Sequence, residues 1–274
     1  MKGTDVMDTV KIASLFDVSG KVALVTGGSR GIGLMIARAY AANGVRVYIT
    51  SRKRDACEAA ERELGAIGEC IAIPADLSNA EGRAALVATL SAREDRLDIL
   101  VNNAGTTWGA PFTEYPEDGF DKVLDTNLKA PFFLTRELLP LLEAGGERGS
   151  ARIINIGSID GINVPRLAPN YAYGPSKAAV HHLTRVLAVL LGRRNIRVNA
   201  IAPGPFDSKM TEWTLTEYRD QIISRCPVGR IGRPDDMAGI ALYLASPGAD
   251  YLNGVVIPLD GGISIENGNM STGE

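Results

Sequence analysis

Tyr173 and Lys177 stand four residues apart. On a helix that spacing puts both on one face, within reach of a shared ligand. A phenol can donate a proton, but its unperturbed pKa of about 10 is too high for efficient transfer at neutral pH. An ammonium beside it favours the phenolate and lowers that value. Tyr-x-x-x-Lys alone is a common pattern. Pro175, between the two, is tolerated only in the first turn of a helix, which places the pair at a helix N-terminus. Tyr171 is six residues from Lys177, off that face, and reads as a packing residue.

A second cluster lies near the start of the chain. Directly after an apolar run comes Thr26-Gly27-Gly28-Ser29-Arg30-Gly31-Ile32-Gly33. Glycines permit a tight strand-to-helix turn and let backbone N–H groups approach a pyrophosphate at the positive end of the helix. The spacing TGxxxGxG is looser than GxGxxG, so its position between a strand and a helix carries more weight than the glycines do. The next apolar run ends in Ser51-Arg52-Lys53-Arg54. A carboxylate there would accept from a ribose 2′-OH, whereas a 2′-phosphate calls for cations. With Arg30 in the turn and no acid at this position, NADP(H) is favoured over NAD(H). A solvated helix start would also carry such cations, but they oppose the helix dipole and a bound phosphate would offset that.

Around these clusters, strands and helices alternate. Short apolar, β-branched runs predict strands at 21–26, 45–50, 70–75, 97–101, 152–157, 196–202 and 254–259. Helical periodicity predicts helices at 32–43, 54–65, 79–92, 173–193 and 235–245, and a long one at 117–143 interrupted near Pro131. The glycine-rich stretch 145–149 reads as a loop. Continuously apolar strands separated by helices imply a parallel sheet covered on both faces. No linker, repeat or low-complexity tract divides the chain. The expected architecture is α/β: one Rossmann-type, doubly wound domain with a seven-stranded parallel sheet.

Composition narrows the function. The 274 residues carry 29 Lys+Arg against 32 Asp+Glu, a net charge of −3, and are 45% apolar. That balance gives no electrostatic footprint for nucleic acid and is too apolar for a disordered chain. No apolar run approaches the ~18 residues of a membrane span. Three scattered cysteines, Cys57, Cys70 and Cys226, argue against a disulfide framework or a zinc site and fit a reducing compartment. The first 17 residues match neither a secretory signal nor a transit peptide, so a cytoplasmic protein with an N-terminal extension is expected.

Taken together, these residues resemble the short-chain dehydrogenase/reductase family across roughly 18–263. The glycine turn is similar to its cofactor turn, Asn102-Asn103-Ala104-Gly105 to its NNAG motif, and Tyr173/Lys177 to its YxxxK. Ser158 corresponds to its serine, Asn127 in DTNL to its helix asparagine, Pro203-Gly204 to its PG motif, and Asp260-Gly261-Gly262 to its C-terminal turn. Within the family the chain looks closest to NADPH-dependent 3-oxoacyl reductases, including the rhamnolipid-associated type.

The resemblance implies roles. Tyr173 would protonate a carbonyl oxygen as hydride arrives, Lys177 would hold the nicotinamide ribose and acidify Tyr173, and Ser158 would bond the substrate oxygen. Asn127 would bind a water linking Lys177 to solvent. Gly27, Ser29, Arg30, Ile32, Gly33, Arg52 and Lys53 would hold the phosphates. Asp76 and Leu77 would meet the adenine, and Asn103, Ala104 and Gly105 its ribose side. Pro203, Gly204, Phe206 and Ser208 would line the nicotinamide. No metal is implied. A region at 206–232 containing Met210, Trp213, Leu215, Tyr218, Ile222 and Ile223 would close over the substrate as an apolar lid; 264–274 would be a tail.

The expected activity is NADPH-dependent reduction of a ketone, foremost a 3-oxoacyl thioester to its 3-hydroxyacyl product, with acyl carrier protein among the partners. Alternatives are an NADP-linked sugar or polyol dehydrogenase, or a dinucleotide sensor without catalysis. The resemblance also implies a homotetramer. His181 and His182, on the helix after Lys177, read as surface or subunit-contact residues.

Overall fold

The structure is a computed structural model and describes residues 11–164 and 170–266. Much of the expected extension and tail, and Pro165 and Pro169, lie outside the described residues. Seven strands form one sheet: β1 (Val22–Thr26), β2 (Arg46–Thr50), β3 (Cys70–Ala72), β4 (Ile99–Asn102), β5 (Ala151–Ile156), β6 (Ile196–Pro203) and β7 (Val256–Leu259). Their order is β3-β2-β1-β4-β5-β6-β7, every pair parallel. The direction of winding reverses between β1 and β4, and ligands of such sheets lie off the carboxyl ends at that point.

The helices are α1 (Ile12–Leu15), α2 (Gly31–Ala42), α3 (Arg54–Gly65), α4 (Ala80–Ser91), α5 (Glu117–Leu124), α6 (Ala130–Glu137), α7 (Leu139–Glu147), α8 (Tyr173–Leu191), α9 (Glu212–Ser224) and α10 (Pro234–Ala245). Alternate strand residues face opposite ways, which divides the core in two. Ala23, Val25, Ile49 and Val101 pack on Ile36 and Tyr40 of α2 and Met237 and Leu244 of α10. Leu24, Tyr48, Leu100 and Ile153 pack on Leu86 and Leu90 of α4, Leu134 of α6 and Leu187 of α8. Both faces are covered, which is why the strands read as continuously apolar.

Two sequence expectations are corrected. The helix expected across 117–143 is three helices, α5, α6 and α7. A π-helical turn, Asp125–Lys129, joins the first two, with the Ala130 N–H bonding the Asp125 carbonyl. Pro131 cannot donate to the carbonyl four residues back, so the chain widens just before it rather than breaking at it. The stretch 145–149 is not simply a loop, because α7 runs through Gly145 and Gly146. A Cβ on Gly145 would collide with the Leu97 carbonyl. Gly145 serves close packing of α7 on the start of β4, and Gly146 on Arg194 and Asn195 before β6.

The segment between β6 and α10 leaves and rejoins the body at one place. Phe206 and Gly232 form a bridge, and the Gly232 N–H donates to the Pro205 carbonyl at 2.9 Å. Helix α9 lies in this segment, kinked at Tyr218.

Candidate active site

The turn between β1 and α2 depends on residues without a Cβ. Gly27 has φ +65°, and a Cβ there would lie 2.8 Å from Asn103 Nδ2 and 3.1 Å from Ala104 Cα. Asn103 fixes the turn in return, since its Nδ2 donates to the Thr26 carbonyl at 2.8 Å. Thr26 Oγ1 accepts the N–H groups of Asn103 and Ala104, both at 2.9 Å, and donates to the Val101 carbonyl. At Arg30, the residue preceding α2, the backbone is extended and no side chain caps the helix. The first N–H groups of α2 are therefore available to an anion.

A cavity of about 1300 Å³ runs from this turn along the carboxyl ends of the strands. Ser29, Arg30, Ile32, Arg52, Lys53, Asp76 and Leu77 line one end. Arg54 turns along α3 to Glu58 at 3.9 Å, whereas Arg52 and Lys53 have no carboxylate partner among the described residues. Burial raises the Asp76 carboxyl, but hydrogen bonds from Ser78 and the charges of Arg52 and Lys122 hold it below the usual range. Asp76 does not cap α4; Asn79 does, accepting the Gly82 N–H at 2.8 Å.

The other end is built on β5 and α8. Asn155 Nδ2 donates to Thr184 Oγ1 at 2.9 Å and locks α8 to the sheet. Tyr173 opens α8, and Pro175 stands in its first turn. Lys177 is buried, donates to the Ile156 carbonyl at 2.7 Å, and places Nζ 5.6 Å from the centre of the Tyr173 ring. Burial pushes Lys177 down to about 8. Burial also pushes the Tyr173 phenol up to about 12, with the charge of Asp160 adding to the rise and the Ser158 side chain opposing it. The expected acidification of Tyr173 by Lys177 is thus absent here. The ammonium is turned to a carbonyl, and desolvation outweighs its charge.

Ser158 follows β5, and its Oγ accepts the Asp160 N–H at 3.1 Å. Asn127 is 1% exposed, in the π turn. Its Nδ2 donates to the Thr106 carbonyl and to Ser176 Oγ, each at 3.0 Å, and its Oδ1 accepts the Thr106 N–H at 2.8 Å. It therefore clamps the loop after β4 to α8. Asn103, Ala104, Gly105, Ser158, Tyr173, Lys177, Pro203, Gly204, Phe206 and Ser208 line the same cavity. Gly33 and Asn127 do not line it; Gly33 packs against Gly27 and Asn103, and Asn127 is bonded to Thr106, all three of which do. Tyr171 faces elsewhere, its ring 5.4 Å from Phe112 and 5.6 Å from Tyr115.

Residues 27–264 match the family described as enoyl-(acyl carrier protein) reductase. The rhamnolipids biosynthesis 3-oxoacyl-[acyl-carrier-protein] reductase of Pseudomonas aeruginosa is 46% identical over 91% of this chain and 98% of its own. The chain is a short-chain dehydrogenase/reductase. A second relative of this oxidoreductase, the gluconate 5-dehydrogenase of Gluconobacter oxydans, is 34% identical over 92% of this chain and 97% of its own. Among solved structures, the Pseudomonas aeruginosa RhlG/NADP active-site complex superimposes with a TM-score of 0.88 at 46% identity, covering 92% of this chain and 99% of that one.

This short-chain dehydrogenase/reductase holds two groups in its site that sequence patterns did not single out as such. His181 is 4% exposed, contrary to its expected surface or contact role, while His182 beside it is exposed. Its Nε2 accepts the Ser158 N–H at 3.4 Å, and a Cβ on Gly157 would overlap the ring. Burial and the charges of Lys177 and Arg185 push it down to about 4, so the imidazole is neutral. The legible signal was its place one helical turn beyond Lys177. The second group is Asp160, two residues after Ser158, at the cavity wall. Among the described residues no cluster of His, Cys, Asp and Glu could hold a metal ion, and no helix is long and apolar enough to cross a membrane.

Proposed function

We propose that the protein uses NADPH to reduce a ketone to a secondary alcohol, and that its substrate is a 3-oxoacyl thioester on acyl carrier protein or coenzyme A. One arrangement carries this reading. A phenol, an ammonium and a hydroxyl (Tyr173, Lys177, Ser158) share a cavity with a glycine cradle and two cations, Arg52 and Lys53, that have no carboxylate partner among the described residues. The cradle fits a pyrophosphate, because Gly27, which has no room for a Cβ, packs the turn against Asn103 and Ala104 and the α2 N-terminus is uncapped. Gly27, Ser29, Ile32 and Gly33 form that cradle, while Arg30, Arg52 and Lys53 take the 2′-phosphate. Asp76 and Leu77 border the adenine, Asn103, Ala104 and Gly105 the ribose side, and Pro203, Gly204, Phe206 and Ser208 the nicotinamide. When bound, NADPH supplies the hydride to the carbonyl carbon.

The chain's own groups do the rest. Ser158 Oγ donates to the carbonyl oxygen and orients it. Tyr173 then gives its proton to that oxygen as negative charge develops. Burial keeps the phenol protonated, the form a donor needs. Lys177, protonated below about pH 8, holds the nicotinamide ribose, and turning Nζ from the Ile156 carbonyl toward the phenol lowers the cost of proton loss. Asn127 keeps the loop beside Lys177 in place and binds the water that returns the proton.

The segment 206–232 acts as a lid, with Met210, Trp213, Leu215 and Ile222 offering an apolar wall to an acyl chain. The relative from Pseudomonas aeruginosa supports the thioester. Reduction or oxidation of a sugar or polyol is the second reading, favoured by the gluconate 5-dehydrogenase relative. Residues 18–263 are the reductase unit, working in the cytoplasm as a homotetramer. Exposed Val186, Val189 and Leu190 on α8 support pairing through that helix. The test is loss of NADPH absorbance on adding a 3-oxooctanoyl thioester. No loss with that ester or with simple ketones would refute the activity.

A further inference from the structure

The lid side of the cavity is apolar, but the wall beside Tyr173 is not. Asp160 occupies the short turn Ile159–Gly161 that follows Ser158, and its backbone N–H is already used on Ser158 Oγ. Its carboxyl lines the cavity, close enough to Tyr173 for its charge to oppose ionisation of the phenol. Burial alone accounts for the rise in its own proton affinity; neither a hydrogen-bond donor nor a cation among the described residues offsets that burial. Across the same wall, Asn170 accepts the Tyr173 N–H through its carbonyl at 3.0 Å. Its side-chain Oδ1 is buried and has no hydrogen-bond partner among the described residues, and Asn170 lines the cavity.

Two acceptors from separate segments therefore line the cavity near Tyr173, and neither has a donor for its side chain among the described residues. Asn170 Oδ1 is buried and the half-buried Asp160 carboxyl faces the cavity, so an all-alkyl ligand would cover this wall without giving either a donor. We propose that Asp160 and Asn170 form a polar subsite for a hydroxyl on the carbon next to the reacting carbonyl, so that a ketone carrying that hydroxyl, its apolar chain under the lid, is a better substrate than the same ketone without it. The proposal rests on Tyr173 as the proton donor and extends the substrates of that site from 3-oxoacyl thioesters to hydroxy-ketones. A hydroxyl there donates to the Asp160 carboxyl or Asn170 Oδ1, while the ketone oxygen meets Ser158 and Tyr173. Sites built to bond a substrate hydroxyl reject the analogue lacking it far more strongly than apolar pockets reject a missing methylene.

The experiment compares heptyl methyl ketone with heptyl hydroxymethyl ketone as NADPH-dependent substrates, beside a 3-oxooctanoyl thioester. The wild-type kcat/KM is expected to favour the hydroxymethyl ketone by about tenfold or more. In Asp160→Leu the ratio falls to near one, and in Asn170→Leu it falls part of the way. A ratio within one preparation is insensitive to the fraction of folded enzyme, so a destabilised variant still reports. Equal rates on the two ketones in the wild type, or a ratio unchanged in Asp160→Leu, overturn the subsite alone. Absence of turnover with all three substrates overturns the reductase reading and the subsite with it.

Discussion

The two ends of the cavity are positioned by different physics. At the adenosine end the backbone does the positioning: Gly27 in a left-handed conformation, an uncapped helix start, and Asn103 tied to main-chain carbonyls. Its charged groups, Arg52 and Lys53, are exposed and wet. At the other end buried side chains from β5, α8 and the π turn meet, and desolvation governs their proton affinities. Replacing a group at the first end should alter affinity; replacing one at the second should alter the chemical step.

The largest expected effect breaks the second end. Tyr173→Phe removes the donated proton and leaves the ring, and kcat is expected to fall roughly a hundred- to ten-thousand-fold. NADPH binding followed by fluorescence should hold within about threefold, since the phenol's contribution belongs to the transition state. A full rate in this variant would remove Tyr173 from its role. The pH profile sharpens the same end. Lys177 loses its proton above about pH 8, whereas Tyr173, near 12, stays protonated. Log kcat/KM for reduction should be flat below pH 8 and fall by about one per unit above it. In Lys177→Met that break should disappear along with most of the rate. A break that survives the substitution would belong to another group.

The first end gives a smaller, cleaner effect. Arg52→Ala deletes one charge-assisted contact to a phosphate, so KM for NADPH should rise about tenfold with kcat little changed. The NADPH/NADH preference should narrow by the same factor. An unaltered preference would locate cofactor choice elsewhere.

These two mechanisms also explain what could be read from sequence. Glycines that must have no Cβ, a proline confined to a first turn, and apolar runs buried on both faces are local demands. The strands, the doubly wound order and the cradle are legible for that reason. Gly145 and Gly146 misled because glycine serves close helix packing as well as turns, and only the Leu97 carbonyl distinguishes the two. The π turn needed Pro131 to be read as a missing donor rather than a helix break. Long-range burial was not legible at all. His181 and Asp160 gain their character from meeting Gly157, Ser158 and Tyr173 across the fold, and no spacing rule encodes a dielectric. For the same reason the expected low pKa of Tyr173 followed from adjacency alone and missed the burial that reverses it.

The smallest effect expected tests that long-range burial directly. His181 is neutral in the folded protein, with its pKa lowered to about 4, against the ordinary 6.5 of an unfolded chain. Between those values the unfolded chain binds more protons, so stability rises with pH across the window and is lost as pH falls through it. Above about pH 6.5 His181 contributes no pH dependence. Its neutral Nε2 accepts the Ser158 N–H, so protonation also removes the acceptor beneath the serine turn. In His181→Leu the donor is left unpaired at every pH, and stability should drop by roughly 1–3 kcal/mol. The urea midpoint of that variant should change less than that of the wild type between about pH 7 and pH 5, because the titrating group is gone. His182 is exposed, and His182→Gln should leave the wild-type slope intact. Were His182→Gln to flatten the slope instead, the buried imidazole would not be the group that titrates in this window.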